Sequence, residues 1–284
     1  MRIGILGTGS YVPEKVLTND DLANIVDTND EWITTRTGIK ERRIASENEA
    51  TSDLAFCAAK KAINDAGIDK NEIDLIIVAT MTPDHFTPST AALVQDKLGI
   101  KAAAFDISAA CTGFVYAFTT GYSFIKSGIY KKVLVIGAET MSRVMDWSDR
   151  GTCILFGDGS GAVVLGEVQT GGFCASHLVA DGSGACELIV PAGGSRKVVT
   201  VEALENKETY LQMNGREIFK FAVKVFPESV DDVLKQQNIT ADDIDLFIPH
   251  QANIRIIESI AKRFKQPLDK FFVNLNKYGN TSGA

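Results

Sequence analysis

The chain repeats itself. Residues 171 positions apart share one pattern: Ile73-Asp74-Leu75-Ile76-Ile77 falls on Ile244-Asp245-Leu246-Phe247-Ile248, and the turn before it, 67–72, falls on 238–243. An amphipathic helix over 51–63 falls on 222–234, and a strand over 3–8 falls on 174–179. A period of this size means two copies of one supersecondary unit. Alternating strands and helices make that unit βαβαβ. Right-handed crossovers then give each copy a mostly parallel sheet covered by helices. The fold class is α/β, with an N-terminal half over 1–170 and a C-terminal half over 171–284. First-copy elements run to about residue 168. The second copy is therefore expected to lack roughly fifty residues, a central helix and two strands.

Local signals fill in the first copy. Residues 2–8 and 73–79 are apolar runs that predict strands, and 132–137 and 162–166 predict two more. Thr51 or Ser52 is a good N-cap for a helix whose apolar stripe includes Leu54, Ala58, Ala62 and Ile63, with Gly67 to end it. A helix over 89–98 leads to the run 102–107, read as a buried strand, and to the small residues Ser108 to Ala110. Cys111 follows at the head of a helix over 112–126 that is apolar nearly all round. Such a helix is expected to lie buried between two sheets. Free backbone N–H groups and the helix dipole at that end favour a thiolate over a thiol.

Composition excludes several classes. A net charge of −7 argues against bulk binding to nucleic acid or an anionic membrane. Five cysteines without CxxC spacing argue against zinc and disulfide frameworks, and for a reducing, cytoplasmic setting. The N-terminal apolar run is too short for a signal peptide, and no stretch is long enough to span a bilayer. Gly7-Thr8-Gly9 suggests a dinucleotide loop, but Val12 stands where a third glycine is needed and Pro13 follows it. Residues 150–161 are glycine-rich but lack the GK[ST] of a phosphate loop, so their glycines serve packing.

Two further motifs stand at strand ends, where open α/β sheets bind ligands. Pro249-His250-Gln251-Ala252-Asn253 follows the 244–248 strand, and Gly279-Asn280-Thr281-Ser282 follows a strand over 271–275. The second is the duplicate of the Cys111 turn. Taken singly, His250 is a structural histidine, Asn280 a turn residue, Trp32 a core anchor and Arg36 a surface ion pair. Taken together, a Cys, a His and an Asn on one sheet edge suit thioester chemistry: sulfur attacks, and the other two donate to an oxygen gaining negative charge.

These stretches resemble the β-ketoacyl-acyl-carrier-protein synthase III family, condensing enzymes of the thiolase superfamily. The likeness is carried by residues 31–39, 109–114, 149–152, 156–159, 249–253 and 279–282, in family order along essentially the whole chain. It implies a thiolase-like fold layered α-β-α-β-α. It also implies decarboxylative condensation of an acyl-CoA primer with malonyl-acyl-carrier protein, the step that starts fatty-acid synthesis. Cys111 takes the acyl group, and His250 and Asn280 grip the malonyl thioester. Trp32 stacks on the CoA adenine with Arg150, Arg36 lies near the phosphates, and Thr28 and Asn253 line the same tunnel. No cofactor is implied. The family continues into a glycine-rich segment that helps form the oxyanion hole, and this chain departs from it there.

An acidic enzyme that docks an acidic carrier needs a local basic patch. Arg216, Lys220 and Lys224 on one helix flank, with Arg255, Lys262 and Arg263 after His250, are the candidates. A homodimer is implied, with residues 85–88 reaching a neighbouring subunit's primer pocket. Two alternatives stay open: a related superfamily acyltransferase, of secondary metabolism or a 3-hydroxy-3-methylglutaryl-CoA synthase, and an inactive scaffold. The hydroxymethylglutaryl enzyme would need a catalytic Glu, and none is near Cys111 in the sequence. A papain-like hydrolase also uses Cys, His and Asn, but the duplicated α/β pattern does not fit it.

Overall fold

The computed structural model describes residues 1–284 and is built on a five-stranded sheet. In chain order the first-half strands are β1 (Ile3–Tyr11), β2 (Lys15–Thr18), β3 (Glu41–Ile44), β4 (Leu75–Ala79), β5 (Ala103–Ile107), β6 (Val133–Glu139) and β7 (Gly159–Glu167). The sheet order is β1-β7-β6-β4-β5, with β2 and β3 paired apart from it. β4 runs parallel to β5 and β6, whereas β7 is antiparallel to β6 and β1. The sheet is thus mixed rather than mostly parallel. Helices long enough for a crossover separate β4, β5 and β6, but only short helical turns separate β6 from β7, so β7 returns antiparallel.

The helices are α1 (Asn19–Ala23), α2 (Asp30–Thr37), α3 (Thr51–Asp65), α4 (Thr90–Leu98), α5 (Gly113–Lys126), α6 (Arg150–Cys153), α7 (Val201–Glu205), α8 (Gly215–Gln237), α9 (Ile254–Phe264) and α10 (Leu275–Tyr278). α3 and α4 cover one face of the sheet, setting Ala58, Ala62 and Val94 against Ile76, Val78 and Leu134. α5 covers the other, with Ala117 and Ile125 on Ile77, Val133 and Val135. Gly7 and Gly9 serve this packing, as their neighbours imply: a Cβ on Gly9 would stand 2.3 Å from the Ala58 carbonyl oxygen.

Three local expectations change. α3 is capped at Ala50, not at Thr51 or Ser52. Both hydroxyls turn inward instead: Thr51 donates to the Thr82 carbonyl at 2.5 Å and Ser52 to Asp84 at 2.7 Å. β5 is an edge strand and only half-buried, since nothing pairs beyond it. α5 is buried on one face only. Phe114, Val115 and Phe118 on its outer face line an open apolar groove with Phe173 and Val233.

The second half keeps the repeat's amphipathic helix and turns but not its ladder. The 3-10 turns Lys70–Glu72 and Ala241–Asp243 match at the expected spacing, as do the left-handed caps Gly67 (φ +64°) and Asn238 (φ +54°). Residues 222–234 lie within α8. Residues 174–179, however, form no strand, and 244–248 and 271–275 join through a single bridge, Phe247 to Phe271. Their outward side chains stay open, Ile248 at 74%. A strand takes its hydrogen bonds from neighbours, and these segments have only each other. Stacked Phe247 and Phe271, 4.6 Å apart, pack with Ile257, Ile260 and Leu275 into a separate small core.

Candidate active site

The two copies of the Cys111 turn meet. Cys111 lies in a 3-10 turn over Ala110–Thr112, just ahead of α5. Ser282, 171 residues on, donates its hydroxyl to the Cys111 sulfur at 3.8 Å. The left-handed residues of the two turns are Ala110 (φ +46°) and Ser282 (φ +54°), so the turns superpose one residue off the spacing of the earlier elements. Gly283 makes the approach possible. A Cβ there would stand 2.9 Å from the Ala110 carbonyl oxygen, and one on Gly137 would stand 2.2 Å from the Gly283 carbonyl oxygen.

Asn280 is held from both sides. Its N–H donates to the Leu155 carbonyl at 2.8 Å, and its own carbonyl accepts from Gly157 N–H at 3.0 Å. Gly157 is needed here, because a Cβ would stand 2.4 Å from the Tyr278 carbonyl oxygen. Beneath lies Arg42, fully buried, whose guanidinium binds the carbonyls of Leu17 and Ile154 and Asn19 Oδ1. The Ser282 N–H donates to Asn280 Oδ1 at 2.9 Å. That bond fixes the carboxamide so that its amino end is the free donor.

The sulfur's surroundings differ from the sequence expectation. Burial pushes the Cys111 thiol pKa up, with the Glu139 carboxylate adding to the rise, and only the Ser282 hydroxyl and the local backbone oppose them. The helix end does not outweigh desolvation here. Glu139 carries no signal of this influence in the linear sequence, because it comes near Cys111 only in space. It is fully buried and accepts from the Thr80 and Thr82 hydroxyls and from the Met81 and Thr82 N–H groups. Burial nonetheless raises its pKa to about 7. These bonds tie it to residues 80–82, which makes it a structural acid rather than one aimed at a substrate.

His250 sits at the end of the Phe247 segment. Gln251 stitches that segment to the Asn280 arm, accepting from Asn274 N–H at 2.9 Å and donating to the Phe272 carbonyl at 3.0 Å. The imidazole itself makes no hydrogen bond to Cys111 or Asn280. One side is open to water, but the crowding of protein around the rest pushes its pKa down to about 4. With no charged neighbour contributing, the ring is neutral at pH 7.

A second cluster forms at α2. The Arg36 and Arg150 guanidinium carbons lie 4.3 Å and 4.7 Å from the centre of the Trp32 ring. Arg150 is anchored on the Asp27 carbonyl at 2.7 Å. Trp32 is both things the sequence allowed, half-buried against the Leu22 and Ile33 core with its face turned to cations. Thr28 Oγ1 nearby is buried without a partner. Asn253 spends its oxygen capping α9, accepting from Arg255 N–H at 2.9 Å. No group of three metal-ligating side chains occurs.

The family model for 3-oxoacyl-[acyl-carrier-protein (ACP)] synthase III matches residues 105–182, and its C-terminal model matches residues 234–284. A β-ketoacyl-[acyl-carrier-protein] synthase III from Caldanaerobacter subterraneus is 56% identical over 283 residues, spanning 99% of this chain and 86% of that protein. The chain belongs to the synthase III family. The synthase III of Clostridium acetobutylicum is 54% identical over 285 residues, again covering 99% of this chain and 86% of that one. The crystal structure of the Aquifex aeolicus 3-oxoacyl-[acyl-carrier-protein] synthase III matches with a TM-score of 0.91 at 49% identity, covering 99% of this chain and 87% of that one. The thiolase-like α/β fold expected from the sequence is thereby established.

Within this synthase III chain the basic residues form two adjoining clusters. Arg216, Lys220 and Lys224 are exposed along α8, and Arg255, Lys262 and Arg263 along α9. Arg255 lies 5.9 Å from the Phe219 ring, which joins the clusters. Glu217 and Asp231 partly neutralise them, pairing with Lys220 at 2.6 Å and Arg263 at 3.7 Å.

Proposed function

We propose that this chain catalyses the decarboxylative condensation of an acyl-CoA primer with malonyl-acyl-carrier protein, through an acyl-cysteine. The observation that carries this reading is the meeting of the Cys111 and Asn280 turns through Ser282. Cys111 loses its proton and attacks the acyl-CoA carbonyl, and CoA leaves as a thiol. The malonyl thioester then loses CO2 to give an enolate. Its oxygen accepts from the free amino end of Asn280 and from the N–H of neutral His250. A histidine whose pKa is about 4 stays a one-proton donor throughout the physiological range. The enolate carbon attacks the acyl-Cys111 carbonyl, forming the β-ketoacyl carrier and releasing the thiolate.

Trp32, Arg36 and Arg150 suit the adenine and phosphates of CoA. Asn253 keeps its amino end for the same tunnel. The α8–α9 basic clusters are the docking face for the acidic carrier. The half-buried edge of β5 supports a homodimer, because a second copy pairing there would satisfy its free backbone groups. Phe86, 91% exposed, fits a side chain completed by that partner. No helix is long and apolar enough to cross a membrane, and we place the enzyme in the cytoplasm.

The test is radiolabelled acetyl-CoA followed by peptide mapping. Label is expected at Cys111 and absent from Cys111→Ala. Asn280→Ala is expected to label normally yet condense about 10²–10³-fold more slowly. A wild-type chain that takes no label at Cys111 refutes the reading and favours an inactive scaffold.

A further inference from the structure

Ser282 touches both the nucleophile and the oxyanion donor without belonging to either. The residue is 4% exposed, and its φ of +54° is a conformation that costs a residue with a Cβ more than it costs glycine. The matching residue of the first turn, Ala110, has the same backbone and no hydroxyl. The Ser282 hydroxyl donates to one partner in the protein, the Cys111 sulfur at 3.8 Å. The backbone N–H of the same residue orients Asn280. The one charged group that acts on the sulfur is Glu139, from β6, and it disfavours the thiolate.

We propose that Ser282 is a positioning residue for the nucleophile, its hydroxyl donating to the Cys111 sulfur and steadying the thiolate for attack on the acyl thioester. This rests on the reading of Cys111 as the acylated residue. In the step itself Cys111 gives its proton to solvent, Ser282 keeps its own, and no bond to Ser282 forms or breaks. A hydroxyl donated to an anion is worth more than one donated to the neutral thiol, so its loss raises the pH at which sulfur becomes reactive.

The test is the pH profile of iodoacetamide alkylation at Cys111, read by mass spectrometry, for wild type, Ser282→Gly and Ser282→Ala. Alanine removes only the hydroxyl and keeps the Cβ, in a conformation that Ala110 adopts in the first turn, whereas glycine removes the whole side chain and frees the backbone. Both variants are expected to move the alkylation midpoint up by about half to one pH unit, which slows alkylation at pH 7 about three- to tenfold. Acyl transfer from acyl-CoA should slow by a similar factor. An unchanged midpoint in the alanine variant overturns the assignment, even if the glycine variant shifts, because the backbone or the side chain's bulk and not the hydroxyl would then matter. Absence of acylation in wild type sinks the condensing function instead, and the alkylation profiles still decide for or against Ser282.

Discussion

The two halves of this molecule start from one pattern and end differently. In the first, β4 lies between β5 and β6, and all five of its residues are buried. In the second, the equivalent segment touches one neighbour at one bridge and leaves Ile248 and Leu246 exposed. The α3 helix and its capped turn are copied within α8, because an α-helix closes its hydrogen bonds within itself. A strand does not. The lesson is that a repeated apolar run specifies a strand only where other strands are present to complete it.

Hydrogen exchange gives the largest expected contrast. Amides of β4 open only with the sheet, so they should exchange about 10⁴-fold or more slowly than those of 246–248. Equal protection would mean the second half is as well built as the first, and would erase the comparison.

The binding cluster on the first half gives a smaller one. Trp32→Ala should raise the KM for acyl-CoA about tenfold, the scale of one lost stacking platform, and leave kcat little changed. A fall in kcat with unaltered KM would move Trp32 out of the binding site and into the core.

The shallowest contrast is in stability against pH. Glu139, on the first half, has its folded pKa raised to about 7 from 4.5. Its contribution is present below pH 4.5 and lost as pH rises toward 7. His250, on the second, has its folded pKa lowered to about 4 from 6.5, so the unfolded chain binds its proton first and stability falls as pH drops through that window. The two slopes oppose each other. Glu139→Gln should therefore steepen the rise of Tm between pH 4.5 and 6.5, and His250→Gln should flatten it, in parallel melts across that range. The same slope in both variants would show that neither group titrates as its surroundings dictate.

Much of this was legible beforehand because it is periodic or adjacent. The repeat, the long helices, the turns and the place of Cys111 just past β5 follow from spacing, whereas the strands expected ahead of His250 and Asn280 do not form as ladders. The charge state of the sulfur does not. A helix start promised a thiolate, but the sulfur's charge state depends on what closes over the turn, where burial and the Glu139 charge outweigh the Ser282 hydroxyl. Glu139 could have been suspected only as an acid ending an otherwise apolar strand. The openness of α5 was equally hidden: an all-apolar helix says that it expects two covers, not that both are supplied. The caps at Thr51 and Ser52 failed because both hydroxyls had deeper partners in Thr82 and Asp84.

The guanidinium pair on Trp32 has a consequence for the proposed CoA contact. In the free protein the indole already carries Arg36 and Arg150. On the proposed reading, an adenine that took the seat of either arginine would exchange one aromatic contact for another instead of adding one outright, and its net affinity would be trimmed by the contact given up.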